Sequence, residues 1–212
     1  HVFIATSPIH MKYKLKMTPE EVMERAVRGV SYAKGFCSDV EFSAEDATRS
    51  DPEFLARVIE AAVRSGATTI NIPDTVGYTT PDEMRFRVEY LRNHVDLGNA
   101  GFSKQCHDDL GCATANSLAG VLGGAGQVEV SVNGIGERAG NTALEEFVMA
   151  LRTRKALYDA DTRIDATRIW RVSQMVYNII GQTAPLNKSI VGQNAFLHES
   201  GIHQHGVLSA KE

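Results

Sequence analysis

The feature that most constrains the fold of this chain is a regular alternation of β-prone segments with amphipathic helical segments. The predicted strands are residues 1–6, 39–43, 68–72, 100–106 and 128–132, and the predicted helices are 20–35, 51–66, 80–94, 112–122 and 144–158. A strand and a helix recur about every 30 residues, a spacing typical of parallel βαβ units. The sequence therefore predicts an α/β protein with a parallel sheet.

Polar residues follow the end of every predicted strand, which helps to choose between two parallel-sheet architectures. They are Thr6, Glu45, Asp74, Thr75, His107, Asp108 and Asn133. An open, doubly wound sheet concentrates its ligand groups at one switch point, whereas a barrel presents them on every strand end. We therefore predict a (β/α)8 TIM barrel that is incomplete and consists of about its last five βα units.

Helix starts are marked by local capping signals. Residues 18–21, 80–83 and 142–145 each place Thr three residues before Glu, the spacing of a capping box, in which each side chain accepts a backbone N–H of the other. Pro73 is expected to end the third strand, because proline has no N–H to donate to a sheet.

The character of the sequence changes after residue 158. Residues 159–165 form a predicted polar linker, 169–180 a predicted helix, and 185–206 a segment rich in Gly, Asn and His with little periodicity. We predict a barrel domain over 1–158 and the start of a post-barrel linker subdomain over 159–212. His198, His203 and His205 are expected to lie on a flexible loop.

Composition excludes several classes of function. A net charge of −4 and a pI near 6.0 do not favour binding to nucleic acid. The sequence contains no apolar run of roughly 20 residues that would cross a bilayer, and no signal peptide is recognised at its start. The three cysteines form no CxxC pair, and their odd number fits a reducing compartment, so a cytoplasmic location is expected. A first residue that already belongs to a strand suggests a piece of a longer protein.

The stretch from Gln105 to Asn141 contains the densest set of candidate functional residues. His107 follows the fourth strand and is either a metal ligand or a structural histidine, while Asp109 is either functional or the N-cap of the next helix. The glycine-rich loop 133–141 does not match GxGxxG, so a dinucleotide site is not favoured. It is either a plain connection or a tight loop that directs Glu137, Arg138 and Asn141 into the barrel.

Two further strand ends contain candidate groups. Glu45 is either a general base or part of a helix cap. Asp74 and Thr75 follow the third strand, and the Thr75 hydroxyl is suited to bind a substrate carboxylate.

Four segments of this sequence, 71–77, 107–111, 133–141 and 199–204, resemble the 2-isopropylmalate synthase family. NGIGERAGN at 133–141 is the most specific of them, and the resemblance extends over essentially the whole chain. The wider group contains homocitrate, citramalate and methylthioalkylmalate synthases, all metal-dependent (β/α)8 barrels. The resemblance implies condensation of acetyl-CoA with a 2-oxoacid, 2-oxoisovalerate, to 2-isopropylmalate in leucine biosynthesis.

The resemblance also implies a site and a divalent cofactor, Mn or Mg, with Zn possible. The metal positions are His107, Asn141 and Gln105; the catalytic positions are Glu45, His203 and Glu137; the substrate-binding positions are Thr75, Arg138 and Asp74. His203 would enter the barrel of a second subunit, which implies a homodimer. The implied location is the cytoplasm, or a plastid in a plant or alga.

This chain departs from the family pattern in three ways. Gln105 replaces the first histidine of a His-x-His metal motif, and His205 replaces an aspartate. The opening strand with its Arg-Asp pair is absent. A sister synthase that uses another oxoacid, and a non-catalytic relative with a decayed metal site, therefore remain open alternatives.

The isolated chain is expected to have no synthase activity, because the resemblance places part of the barrel and one metal ligand outside it. The measurement is release of CoA from acetyl-CoA and 2-oxoisovalerate. Measurable release by the 212-residue chain would contradict this expectation.

Overall fold

The computed structural model describes residues 1–209, and within them the chain forms a five-stranded parallel sheet in the order β1-β2-β3-β4-β5. The strands are β1 (Val2–Ala5), β2 (Glu41–Glu45), β3 (Thr69–Asp74), β4 (Gly101–Cys106) and β5 (Gln127–Glu129). All neighbouring strands pair in parallel. The predicted α/β fold with a parallel sheet is confirmed.

Helices lie between consecutive strands and continue after β5. They are α1 (Pro19–Lys34), α2 (Pro52–Arg64), α3 (Pro81–His94), α4 (Ala113–Gly123), α5 (Leu144–Thr153) and α6 (Lys155–Tyr158), followed by α7 (Ile169–Ile179) and α8 (Gly201–Ser209). Shorter helical turns include Pro8–His10, Met11–Leu15, Ala47–Arg49, Val132–Gly134, Ala166–Arg168 and Gln193–Phe196. The chain divides into two compact units, His1–Thr162 and a second that begins at Arg163. No helix in the described part of the chain combines the length and the apolar character that crossing a membrane requires.

The capping boxes predicted at 18–21 and 80–83 are both present, the second with the Thr80 N–H donating to Glu83 Oε2 at 2.9 Å. Thr18 Oγ1 accepts from the Glu21 N–H at 3.3 Å, and Glu21 Oε2 accepts from the Thr18 N–H at 2.8 Å. At α2, Asp51 Oδ1 accepts from the Phe54 N–H at 2.8 Å. These bonds satisfy amides that have no partner within the helix, which explains why the sequence locates these helix starts so well.

The main core lies between one face of the sheet and the helices. Phe42, Ile70 and Ile72 project from the strands, and Leu55 and Ile59 cover them from α2; all five are fully buried. Burial of each such side chain stabilises the fold by about 1.5–3 kcal/mol.

The opposite face of the sheet is polar and concave. Gln127 Nε2 on β5 donates to Glu41 Oε2 on β2 at 3.1 Å, although β3 and β4 lie between these strands. In a flat sheet the two backbones would be about 14 Å apart, since neighbouring strands are about 4.8 Å apart. Curvature of this kind is what an incomplete (β/α)8 barrel requires.

Three strand predictions are wrong in their bounds. β2, predicted over 39–43, spans Glu41–Glu45. β3 continues through Pro73, which pairs with Gln105, and it ends at Asp74. One missing N–H removes only one bond from a ladder of six residue pairs, and the buried Asp74 is anchored by other bonds. β5 ends at Glu129, and a turn over Val132–Gly134 replaces its expected second half.

The predicted capping box at 142–145 is also wrong. Thr142 Oγ1 lies 2.7 Å from Ser117 Oγ and donates to the Ala113 carbonyl at 3.1 Å, so it serves packing against α4. Glu145 Oε2 accepts from the Asn133 N–H at 3.0 Å. The predicted helix 144–158 is interrupted at Arg154, whose φ of −114° and ψ of 36° are not helical.

The first long helix of the second unit is α7, which lies close to its predicted bounds of 169–180. The expected flexible loop around the histidines is wrong, because His203 and His205 lie on helix α8. Gln204 N–H donates to the Ser200 carbonyl at 2.9 Å and its side-chain amide to the His198 carbonyl at 2.9 Å. One backbone bond and one side-chain bond thus support a short helix in a sequence without apolar periodicity.

Lys104 on β4 is a charged residue at a fully buried position. Its Nζ donates to the Ile72 carbonyl, and its stem lies against Gly120, where a Cβ would come within 2.8 Å of Lys104 Cγ. Burial lowers the pKa of Lys104 to about 8, while the neighbouring Cys106 and Asp74 partly oppose this shift. Lys104 therefore costs the folded state free energy.

We predict that Lys104→Met raises the free energy of unfolding by about 2 kcal/mol at pH 7. The lowering of the Lys104 pKa from 10.5 to about 8 corresponds to a cost of about 3 kcal/mol in the folded state. Methionine removes this cost but also removes the bond to the Ile72 carbonyl, which contributes about 1 kcal/mol. Between pH 8 and 10.5, Lys104 is protonated in the unfolded chain and deprotonated in the folded one. The free energy of unfolding of the wild type should therefore rise with pH over this range relative to that of the variant.

The measurement is the denaturation midpoint of both proteins over this pH range. Lys12→Met, the same change at an exposed lysine, is the control and should stay within about 0.5 kcal/mol of the wild type. A destabilised Lys104→Met protein would contradict the prediction.

Candidate functional site

The C-terminal ends of β3 and β4 meet the loop that follows β5. The His107 N–H donates to the Asp74 carbonyl at 3.2 Å, and the Asp108 N–H donates to the Gly140 carbonyl at 2.9 Å. His107 and Asn141 form an isolated antiparallel bridge. Two residues that are 34 positions apart in the sequence are thus direct neighbours.

His107 presents a neutral, half-buried imidazole at this point. Burial, and next the Arg138 guanidinium, lower the pKa of His107 below its ordinary value of 6.5. Its Nδ1 is buried and has no hydrogen-bond partner within residues 1–209. A neutral imidazole with an unused ring nitrogen is a suitable metal ligand.

The other two predicted metal positions offer amide oxygens. Asn141 Oδ1 lies so close to Gly136 that a Cβ there would collide with it, which fixes this side chain within the loop. Gln105 stands two residues before His107 on β4, so both side chains project from the same face. Gln105 and Asn141 line one depression together with Glu129 and Ser131.

This donor set fits a divalent cation. Amide oxygens suit hard ions such as Mg and Mn, and imidazole extends the range to Zn. In the described part of the chain, no group of three or more His, Cys, Asp or Glu side chains could hold a metal. The candidate set is consistent with this finding because two of its three members are amides.

Glu45 ends β2 in an ion pair that sequence reasoning missed. Lys14 Nζ donates to both carboxylate oxygens, at 2.6 and 2.9 Å, and His10 Nε2 lies 3.9 Å from Oε1. Glu45 is half-buried. The helix-cap interpretation receives no support, because Asp51 caps the next helix.

His10 is held by a buried aspartate beside Glu45. His10 Nδ1 lies 3.0 Å from Asp46 Oδ2 and 2.9 Å from Ser7 Oγ. Asp46 is fully buried and also accepts from Arg49 Nε at 2.8 Å. His10 could have been predicted from its place shortly after the first strand. The other candidates were identified because they follow the ends of strands in the same way.

Asp74 and Thr75 form hydrogen bonds with the loops around the ends of β2 and β3. Asp74 is fully buried; its Oδ1 accepts from Thr48 Oγ1 at 3.2 Å and its Oδ2 from the Thr79 N–H at 3.1 Å. Both oxygens therefore already serve the fold. Thr75 Oγ1 accepts from the Asp46 N–H at 2.9 Å, and a hydroxyl that accepts one bond still has its own proton to donate.

Arg138 and Glu137 occupy different environments in the glycine-rich loop. Arg138 donates to both oxygens of Asp109, at 2.9 Å each, and to the Thr75 carbonyl at 2.7 Å. This contact lowers the pKa of Asp109 below its ordinary value. The Glu137 side chain is 83% exposed, and its carboxylate lies 3.7 Å from the Arg138 guanidinium.

Asp109 is not the helix cap that was considered for it. Asp108 Oδ1 accepts from the Ala113 N–H at 2.8 Å at the start of α4. The two adjacent aspartates therefore have separate roles, Asp108 at the helix and Asp109 at Arg138.

His203 belongs to the second unit. It is exposed on α8, and its ring centroid lies 6.4 Å from that of His198 in an edge-to-face arrangement.

A carboxyl pair on the polar face of the sheet was also missed. Burial first, and then the adjacent Glu41, raise the pKa of Glu129 to about 8. The alternation of polar and apolar residues in β2 and β5 extends over too few residues to predict from the sequence that Glu41 and Glu129 face each other.

Comparison with known proteins identifies the family of this chain. Residues 1–176 match the HMGL-like family. The chain is 61% identical to the 2-isopropylmalate synthase of Ruminiclostridium cellulolyticum and 58% identical to that of Pyrococcus furiosus, in each case over 100% of this chain and 42% of the relative. It thus spans about two fifths of the length of these relatives.

The fold has solved counterparts. The crystal structure of hydroxymethylglutaryl-CoA lyase from Pseudomonas aeruginosa superposes with a TM-score of 0.73 at 22% identity, covering 90% of this chain and 65% of that one. At this sequence identity the similarity establishes only the fold. That fold is the barrel architecture that the sequence predicts. The chain belongs to the HMGL-like family, as a segment similar to 2-isopropylmalate synthases.

Proposed function

We propose that the full-length protein condenses acetyl-CoA with 2-oxoisovalerate to give 2-isopropylmalate and CoA, the first committed step of leucine biosynthesis. The observation that carries this proposal is 61% identity to a 2-isopropylmalate synthase along the whole chain. The neighbouring positions of His107 and Asn141 at the C-terminal edge of the sheet support it. Its proposed location is the cytoplasm, or a plastid in a plant or alga.

Enzymes of the HMGL-like family use a divalent metal, and we assign Mn or Mg to this protein, with Zn as a weaker candidate. His107, Asn141 and Gln105 would hold it. When bound, the metal supplies Lewis-acid polarisation of the oxoacid carbonyl. The chain contributes a neutral imidazole, which needs to lose no proton before it binds.

Glu45 is the proposed general base. It accepts a proton from the acetyl methyl group, and the resulting carbon nucleophile attacks the carbonyl carbon of the oxoacid. The oxygen of that carbonyl takes up a proton and becomes the hydroxyl of the product. Water then cleaves the thioester and CoA leaves. The Lys14 ammonium at 2.6 and 2.9 Å orients both carboxylate oxygens of Glu45.

Thr75 is the proposed substrate-binding residue best supported by geometry. Its hydroxyl oxygen accepts a hydrogen bond from the Asp46 N–H, and its hydroxyl proton can still be donated to a substrate. For Asp74 and Arg138, the bonds already described favour an indirect contribution to substrate binding. Glu137, as an exposed side chain, would act only after the loop around it rearranges.

The proposed working unit is a homodimer in which His203 of one subunit serves the barrel of the other. Its exposure on α8 leaves the imidazole accessible to a second chain.

We predict that Glu45→Gln lowers kcat of the full-length enzyme about 10²- to 10⁴-fold, since the amide cannot accept the proton. The measurement is CoA release with 2-oxoisovalerate, pyruvate, 2-oxoglutarate and a methylthio-oxoacid as alternative substrates. Glu60→Gln, a carboxylate on α2, is the control and should retain full activity. A higher kcat/KM with another oxoacid would replace the proposed substrate by that of a sister synthase.

We predict that Gln105→His tightens binding of Zn or Mn to the full-length protein about tenfold, because imidazole is a stronger ligand than an amide oxygen. Titration calorimetry measures the dissociation constant directly. Gln182→His, at an exposed position in the second unit, is the matched control. An unchanged dissociation constant would argue against Gln105 as a ligand, and no metal binding at all would favour a non-catalytic relative.

A further inference from the structure

Arg138 connects three loops at the C-terminal edge of the sheet. It belongs to the loop of residues 133–141, here called the Arg138 loop. Its Nε and one terminal nitrogen donate to the two oxygens of Asp109, at 2.9 Å each, and that terminal nitrogen also donates to the Thr75 carbonyl at 2.7 Å. Thr75 follows β3 and Asp109 follows β4, so one side chain joins the ends of three consecutive strands.

The partner of Arg138 is itself held in place. A Cβ on Gly77 would collide with Asp109, and Gly77 has the positive φ of +64° that glycine adopts readily. The Leu110 N–H donates to the Gly77 carbonyl at 3.1 Å. Close packing of these two backbones fixes the Asp109 carboxylate where the guanidinium meets it.

The backbone of Arg138 gives independent support. Its φ of +55° lies in the left-handed region, which is unfavourable for a residue with a side chain. The same loop contains glycines at 134, 136 and 140, yet this left-handed position contains arginine. Such strain persists where surrounding bonds hold it, and here the guanidinium makes those bonds.

The position of the Arg138 loop determines the geometry around His107. The Gly140 N–H donates to the Glu137 carbonyl and the Asn141 N–H to the Gly134 carbonyl, both at 2.9 Å. The Gly140 carbonyl then accepts from the Asp108 N–H at 2.9 Å, next to the bridge between His107 and Asn141.

We propose that Arg138 is a positioning residue that holds the Arg138 loop against the ends of β3 and β4 and thereby sets Asn141 beside His107. An isolated surface ion pair contributes little, but a planar guanidinium that binds a carboxylate through two nitrogens and a carbonyl as well fixes direction and distance. Lysine keeps the charge and loses this geometry. The part of this inference that concerns metal binding rests on the proposed function, whereas the part that concerns the loop does not.

The test compares the full-length protein with Arg138→Lys and Asp109→Asn variants. Hydrogen exchange of the Asp108, Gly140 and Asn141 amides reports on the loop, and calorimetric titration with Mn reports on the ligands. We expect both variants to exchange these amides at least about tenfold faster and to bind Mn about tenfold more weakly, the usual loss when a group that orients metal ligands is removed. Their kcat should fall more than their KM for the oxoacid rises.

The control is Arg85→Lys, which alters an arginine paired with Glu89 at 2.7 Å on the exposed face of α3 and should change neither readout. Unchanged amide exchange in both variants would overturn the proposal. A rise in the KM for the oxoacid with unchanged exchange would also overturn it, in favour of direct substrate binding by Arg138. If the wild type binds none of Mn, Mg and Zn in the same titration, the proposed function fails, and the exchange rates alone decide the role of Arg138.

Discussion

The parallel pairing of β3 with β4 is the interaction on which the rest of this site depends. Six consecutive residues of β3 pair with six of β4, from Thr69 beside Gly101 to Asp74 beside Cys106. This register places His107, the first residue after β4, beside the end of β3, where its N–H donates to the Asp74 carbonyl. A shift of one residue would turn Gln105 and His107 to the opposite face of the sheet, because side chains alternate along a strand.

Buried polar groups organise the ends of the strands. Asp46 and Asp74 are fully inaccessible to solvent, and both are satisfied by neighbours that belong to other segments of the chain. A buried carboxylate is costly unless it is bonded, so each one selects a single arrangement of the loops around it. Lys104 is the contrasting case, since one carbonyl partner leaves the pKa of its ammonium lowered.

Local signals account for the parts of the fold that the sequence predicts correctly. The first helices begin where Thr18 and Asp51 cap them, because a cap needs only residues within one turn. The failures involve distant partners. Thr142 faces Ser117 instead of capping its own helix, and β3 passes through Pro73 because neighbouring strands and the anchored Asp74 hold it extended. For the same reason, the Lys14 and His10 partners of Glu45 escaped prediction.

The sequence by itself determined the strand–helix alternation, the family motifs and the rule that functional groups follow strand ends, since each depends on spacing along the chain. Only the tertiary structure decided which of these groups are already used. It assigned both oxygens of Asp74 to Thr48 and Thr79, directed Arg138 to Asp109, and left His107 Nδ1 buried with no partner in residues 1–209. Hydrogen-bond partners are chosen by distance in space, and the curvature and register of the sheet set those distances.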